Sequence, residues 1–114
     1  MLLQMEIREI GNDVTVLQLT GRITLGRDSQ QVEWKTDELL KAGKKKIIFD
    51  MTGVTLVDST GVGIIVTCFG RLKKAGGELR LAGVQSNVDG IFKMTQIDKI
   101  IAMHPSVEAA AAGL

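Results

Sequence analysis

The segment Asp58-Ser59-Thr60-Gly61 holds the residues of this chain whose types and spacing best suit chemistry. It follows a β-branched apolar run at residues 47–51, a Thr-Gly pair predicted to turn, and a short extended piece. A helical pattern follows, so Ser59 is predicted at a helix N-terminus, where free backbone N–H groups and the helix dipole favour a phosphate. Ser59 is therefore a candidate phosphorylation site. The residues alone equally allow an ordinary helix cap, because Asp, Ser and Thr side chains all accept hydrogen bonds from free N–H groups.

Other chemistry finds little support in the residues. A Gly-x-Gly pattern begins at Gly61, but its third glycine position is Val66 and no acidic residue ends the next predicted strand, which disfavours a dinucleotide site. Cys68 and His104 are the single residues of their types, so no metal cluster is expected. Adjacent Asp58 and Ser59 cannot form a hydrolytic triad without the distant His104. We expect no enzyme, no metal and no cofactor.

Composition sets broad limits. The 114 residues suit one domain over 1–114, with 45% hydrophobic and 24% charged residues, and the formal charge of +1 offers no field for nucleic acid or an anionic membrane. The Lys44-Lys45-Lys46 triplet is interpreted as a solvated strand entrance. No apolar run approaches the roughly 20 residues that cross a bilayer, and the N-terminus lacks a signal-peptide pattern. A cytoplasmic protein without nucleic-acid or membrane partners is expected.

The first half of the chain predicts a hairpin and a helix. Alternating residues 5–10 and 14–19 flank Gly11-Asn12-Asp13, which indicates two antiparallel strands. Asp28 and Ser29 are predicted caps of a helix that runs to about Ala42, with Gly43 as its stop. Its apolar stripe is formed by Val32, Leu39 and Leu40.

The second half predicts alternating helices and strands. A helix begins near Ser59 and ends at Gly76-Gly77, with an inward stripe of Val62, Ile65, Val66, Phe69 and Leu72. Strands are predicted at 79–82 and 100–103. A short helix capped by Ser86, with Val88, Ile91 and Phe92 inward, is also predicted, and a terminal helix is predicted to begin at Ser106. The predicted fold is an α/β domain whose mixed sheet of about five strands has an antiparallel hairpin first and parallel strands later, covered by about four helices.

Trp34 is predicted to face outward from the first helix, about 200° from Val32. An exposed tryptophan can anchor a protein partner, here a second protein or a second copy of the chain in a weak homodimer. The alternative is a ring that lies flat over its own helix or over the loop at residues 21–26.

Several segments together resemble a known family over nearly the whole chain. Gly21-Arg22-Ile23, the run from Asp50 to Val54, the run from Val57 to Gly63, and Gly76-Gly77-Glu78-Leu79 are similar, in order and spacing, to the STAS domain of bacterial anti-sigma factor antagonists. The resemblance implies a protein that binds an anti-sigma factor, itself a serine kinase, and so releases a sigma factor for transcription. The kinase would phosphorylate Ser59, and a PP2C-type phosphatase would reverse the step. The partner-binding residues would be Asp58, Ser59, Thr60, Gly61, Arg22 and Thr24, with Trp34 added from its exposure.

Elementary electrostatics supports a switch of that kind. A phosphate adds about −1.5 to −2 charges where the helix dipole tolerates them, so the fold should survive. Phosphorylated Ser59 and Asp58 together would carry nearly three negative charges. We expect this charge to end binding to a partner whose surface is complementary to a neutral hydroxyl.

Two departures from the family pattern bear on these expectations. Thr24 stands where many members have an acidic residue in the loop that contacts the kinase, and Thr95-Gln96-Ile97 stands where members often have Thr-Gly-Leu. The same fold also implies an alternative function, a non-catalytic STAS subunit of a stress-sensing assembly or a lipid transporter without a phospho-switch.

Overall fold

The computed structural model describes residues 3–114, and over this range the chain forms a five-stranded sheet with four α-helices. In the sheet order β1-β2-β3-β4-β5, β1 and β2 are antiparallel and the other neighbours are parallel. The predicted α/β fold with its mixed sheet is thus confirmed. The elements are β1 Gln4–Ile10, β2 Val14–Ile23, α1 Arg27–Lys41, β3 Lys46–Val57, α2 Ser59–Lys74, β4 Glu78–Ala82, α3 Ser86–Met94, a 3-10 turn Ile97–Lys99, β5 Met103–His104 and α4 Val107–Ala111.

Both faces of the sheet are covered, by different elements. The larger core lies between β1–β4 and helices α1, α2 and α3, because alternate strand residues such as Leu17, Phe49 and Leu81 point to that side. On the opposite face α4 covers a smaller cluster of Val14, Val16, Ile48, Ala82, Val107 and Ala110. Within residues 3–114, α1, α2 and α3 therefore lie on one side of the sheet and the short terminal helix on the other.

The predicted turn at Thr52-Gly53 is wrong, because β3 continues through it. The Asp50 carboxylate accepts hydrogen bonds from the Thr52 amide, at 3.1 Å, and hydroxyl, at 2.7 Å. The pairing of β3 with β2 shifts here, so that Thr20 is the partner of Gly53. A Cβ on Gly53 would lie 2.9 Å from the Thr20 hydroxyl oxygen. The glycine therefore marks close approach of two strands at a bulge, not a reversal of the chain.

Helix α2 is present as predicted, but its inner face is displaced from the predicted stripe. Val62, Ile65 and Leu72 are buried, whereas Val66 is 40% exposed. Phe69 is half-buried, with the Lys73 ammonium 5.8 Å from its ring centroid. The remaining inward positions are Gly61, Ile64 and Cys68. Apolar residues lie around most of this helix, so periodicity alone could not fix which face packs on the sheet.

The predicted N-caps of α1 and α3 are also wrong, and that of α4 is right. Helix α1 has Gly26 at its N-cap, and the side chains of Asp28 and Ser29 instead accept hydrogen bonds from the backbone amides of Leu3 and Thr24. Helix α3 has Gln85 at its N-cap without a side-chain bond, so Ser86 is its first residue. The third prediction is confirmed, because the Ser106 hydroxyl accepts from the Ala109 amide at 3.1 Å.

The last strand lies later in the chain than predicted. Residues 100–102 follow the 3-10 turn outside any strand, and only Met103 and His104 pair with Leu81 and Ala82 of β4. Ile101 is buried in the larger core, which explains its apolar character without a strand. This displacement leaves β5 as a two-residue edge.

Candidate functional site

The site is formed where β3 ends and α2 begins. Asp58 has extended backbone angles (φ −101°, ψ −174°) and is the N-cap of α2. Its carboxylate accepts a hydrogen bond from the Gly61 amide at 2.9 Å, and its carbonyl accepts from the Val62 amide at 2.9 Å. The sequence allowed Asp58, Ser59 or Thr60 to cap the helix, and in the structure the cap is Asp58.

Ser59 is the first residue of the helix and its side chain is exposed. In residues 3–114 no hydrogen bond of the Ser59 hydroxyl is found, and the side-chain cap of this turn comes from the Asp58 carboxylate. The hydroxyl is thus accessible and stands at the positive end of a 16-residue helix. This is an environment that can accept a phosphate without loss of an existing contact.

Asp58 also connects the helix to the loop that follows β2. Its second carboxylate oxygen accepts from the Leu25 amide at 3.1 Å, and the Asp58 amide donates to the Ile23 carbonyl at 3.3 Å. The hydrogen bond from the Gly61 amide is the main reason that the pKa of Asp58 lies below its ordinary value of 3.8. Around neutral pH the Asp58 side chain, next to Ser59, is therefore negatively charged.

Gly61 is required by packing. A Cβ at this position would lie 2.0 Å from the Ile23 carbonyl oxygen and 2.9 Å from a methyl carbon of Val57. The first turn of α2 can approach the end of β2 this closely only without a side chain. The absence of a side chain at Gly61 therefore lets the first turn of α2, with Ser59, pack close to the end of β2, and the predicted part of Gly61 in partner binding stays a prediction.

The other residues predicted for the site differ in how close they lie to it. Arg22 is exposed on β2 and is the register partner of Leu56, two residues before Asp58. Thr24 is half-buried, and its amide donates to the Ser29 hydroxyl at 2.9 Å. Thr60 is half-buried in the first turn of α2. Thr60 follows Ser59 directly in the chain, and Thr24 precedes Leu25, whose amide is bonded to Asp58. The part of Arg22, Thr24 and Thr60 in binding stays a prediction.

Trp34 is 61% exposed on α1, which agrees with the predicted outward orientation. It lies seven residues beyond Arg27, the first residue of α1, or about 10 Å along the axis. Among the described contacts none connects its side chain to the Ser59 corner. An interface that includes both would have to extend along α1.

Two residues of this region were missed from the sequence. Leu25 is 82% exposed beside Asp58, an apolar side chain that the loop presents to solvent. Asn87, at the start of α3, donates from its side chain to the Thr55 carbonyl at 2.7 Å and so holds the part of β3 that extends beyond β4. Leu25 could have been noticed as an apolar residue within a predicted loop, whereas no local sequence feature indicated the role of Asn87.

The other two candidate reactive residues, Cys68 and His104, are not among the residues described around Ser59. Burial raises the pKa of the Cys68 thiol to about 11, so the thiolate nucleophile is scarce at neutral pH. His104 is half-buried at the end of β5. No cluster of His, Cys, Asp and Glu suited to a metal ion occurs within residues 3–114. Over the same residues, no helix combines the length and apolarity needed to cross a membrane.

The mixed sheet, with its antiparallel first strand and parallel later strands, and the exposed serine at the first residue of α2 place the chain among proteins with the STAS fold. The STAS domain family matches residues 4–110, and the chain belongs to that family. A Thermotoga maritima relative whose name assigns it provisionally to the anti-sigma factor antagonists is 24% identical over 102 residues, which cover 90% of each chain.

Solved structures share the fold. A crystal structure of a Thermotoga maritima protein with the same provisional description superposes with a TM-score of 0.84 at 24% identity, covering 93% of this chain and 90% of that one. The phosphorylated form of SpoIIAA, a Bacillus cell fate determinant, gives a TM-score of 0.72 at 18% identity, covering 94% and 96%. At such identities the likeness concerns the fold, so a function must be argued from the site.

Proposed function

We propose that this chain is an anti-sigma factor antagonist that acts by binding and not as an enzyme. In its unphosphorylated form it binds an anti-sigma factor serine kinase and so releases a sigma factor. Phosphorylation of Ser59 ends that binding, and a PP2C-type phosphatase restores it. The observation that supports the proposal is that, at the start of α2, Asp58 caps the helix while the Ser59 side chain is exposed.

The charge of the corner explains why modification would act as a switch. Asp58 accepts from the Gly61 and Leu25 amides and is held ionised by them. A phosphate on the next residue adds about −1.5 to −2 charges without displacing either bond. The fold is thereby kept while the surface that surrounds Leu25 and Ser59 becomes strongly negative, which opposes a partner that packs against an apolar side chain and a neutral hydroxyl.

The test uses a matched pair of serines. Ser59 and Ser86 are both exposed first residues of helices, so Ser86 controls for charge added at a helix start. The chain, Ser59→Ala and Ser86→Ala are each incubated with the kinase and ATP. We expect one phosphate on the chain and on Ser86→Ala, and none on Ser59→Ala, by mass spectrometry of the intact proteins.

Binding is then measured by calorimetry with the kinase. Ser59→Ala and Ser86→Asp should bind as the unmodified chain does, whereas Ser59→Asp should bind at least about tenfold more weakly, or about 1.4 kcal/mol, and the phosphorylated chain more weakly still. Trp34→Ala in the same titration tests whether α1 extends the interface, with a loss of affinity expected if it does. Equal affinity of the Ser59→Ala, Ser59→Asp and phosphorylated forms would contradict the switch and favour the alternative, a STAS subunit of a larger assembly.

A further inference from the structure

Strand β1 is a regular strand whose outer edge is unpaired within residues 3–114. It pairs with β2 over all seven residues, from Gln4 with Thr20 to Ile10 with Val14, without a register shift. It contains neither proline nor glycine, and Ile7 at its centre is 43% exposed. Proteins usually protect such an edge with a bulge, a proline, a very short strand or charged side chains, lysine above all, because an open edge is a template for another strand. Of these devices β1 has charged side chains, but they are of both signs and include no lysine.

We propose that β1 pairs antiparallel with β1 of a second copy of this chain, about a two-fold axis at Ile7, to form a continuous ten-stranded sheet. The inference concerns a surface apart from the Ser59 corner and does not rest on the proposed function. It commits to a second copy because the charges on this edge are complementary to themselves.

The register of such a pair can be worked out from the side chains. Residues directly opposite each other must point to the same face, so the allowed registers differ by steps of two residues. Full overlap of the seven residues places Glu6 opposite Arg8 of the second copy, and Arg8 opposite its Glu6. One step either way places Glu6 opposite Glu6, or Arg8 opposite Arg8, and like charges directly opposite are destabilising. The register with the largest overlap is therefore also the one with matched charges.

The two charges are free for this role. Glu9 already has the Lys44 ammonium at 3.4 Å and the Thr15 hydroxyl as partners. Among the described residues, by contrast, no ion pair of Glu6 or Arg8 is found. Their register partners on β2 are Gln18 and Val16, which are uncharged, so a change of charge at these positions leaves the β1–β2 hairpin without a new repulsion.

Ile7 supplies the apolar part of the contact. It lies on the two-fold axis of the proposed pair, where the two Ile7 side chains are directly opposite each other and bury surface that is now exposed. Because side chains alternate along a strand, Ile7 points to the face of the larger core, whereas Glu6 and Arg8 point to the opposite face. The proposed interface thus has an apolar pair on one face of the sheet and two ion pairs on the other, and exposed ion pairs of this kind are weakened by salt.

The test is a charge exchange followed by sedimentation equilibrium at low ionic strength. Glu6→Arg and Arg8→Glu should each weaken the dimer at least about tenfold, because each variant faces like charges in its own second copy. An equimolar mixture of the two variants should form a heterodimer, since one strand then carries two positive charges and the other two negative charges. The double exchange Glu6→Arg with Arg8→Glu should restore the homodimer.

Lys99→Glu, an exposed charge reversal in the 3-10 turn, is the control and should leave the dimer unchanged. Circular dichroism checks that every variant keeps the fold. A monomer at all concentrations up to about 1 mM would overturn the proposal. So would a dimer that both single variants form as tightly as the unmodified chain, because the contact would then lie elsewhere.

Discussion

Asp58 and Ser59 are neighbours in sequence, yet their side chains lie in different environments. The Asp58 carboxylate accepts two backbone hydrogen bonds that join α2 to the loop after β2, whereas the Ser59 hydroxyl is exposed. Replacing Ser59 by Ala should therefore change the free energy of unfolding by less than about 0.5 kcal/mol, as for an exposed position outside a cap. Under the proposed function, stability would depend on Asp58 and the switch on Ser59, two different residues of the same motif.

The pH dependence of stability should reveal the role of Asp58. Its folded pKa lies below the ordinary 3.8, so its contribution is fully present above about pH 4 and is lost as the pH falls through the lower folded value. Asp58→Asn can still accept from Gly61 but cannot accept from Leu25, and should be less stable at pH 7 by about 1–2 kcal/mol. We expect urea unfolding of the two proteins to converge as the pH is lowered below 3.8.

Asp98→Asn, in the exposed turn before β5, is the matched control for removal of one negative charge. If the unfolding free energies of Asp58→Asn and the unmodified chain stay a constant distance apart from pH 7 down to pH 2, the carboxylate does not cap α2 in solution.

At the scale of the elements, the inner face of α2 can be tested by three substitutions on one helix. Leu72 is fully buried, Phe69 is half-buried and Val66 is 40% exposed. Leu72→Ala should cost about 2–5 kcal/mol in unfolding free energy, and Val66→Ala less than about 0.5. Phe69→Ala should fall below the about 3–5 kcal/mol of a fully buried phenylalanine. Thermal and urea unfolding would measure the order, and a larger loss at Val66 than at Leu72 would contradict this orientation of the helix.

The elements with strong periodicity could be predicted from the sequence, and those decided by distant contacts could not. The hairpin and α2 follow from alternation and from three- and four-residue spacing, which are local. The continuity of β3 depends on its pairing with Thr20 of β2, a distant part of the chain. The N-cap of α1 is Gly26, because the Ser29 side chain is bonded to the Thr24 amide and does not cap the helix. Ser59 was found because its motif is local, whereas Asn87 was missed because its role lies 32 residues away, at Thr55.

At the scale of the whole molecule, the sheet is held between unequal layers. Three helices cover the larger core, whereas the other face depends on α4, a helix of only five residues. So short a helix is not stable by itself and must be held by tertiary contacts. Val107 and Ala110 supply apolar contact with the sheet, and Arg80 of β4 supplies the polar contact.

Arg80 should therefore control the docking of α4. One guanidinium nitrogen donates to the Ala110 carbonyl at 3.0 Å and to the Ala112 carbonyl at 2.8 Å, and the Nε–H donates to Glu78 at 2.6 Å. The Arg80 side chain is only 16% exposed; its hydrogen bonds to Glu78 and to the Ala110 carbonyl are partly buried, whereas the bond to the Ala112 carbonyl is exposed. Arg80→Ala should cost about 1–3 kcal/mol and speed amide hydrogen exchange in residues 107–112, while exchange in β2 and β3 changes little.

Arg71→Ala is the control for this change. Arg71 also makes two contacts, to Glu33 at 3.0 Å and Asp37 at 2.7 Å, but its side chain is 42% exposed. Exposed ion pairs contribute little, so its loss should cost less than about 1 kcal/mol and leave exchange in α4 unchanged. Exchange that rises equally in α4, β2 and β3 of Arg80→Ala would mean that α4 unfolds only together with the sheet, and would contradict its dependence on this one side chain.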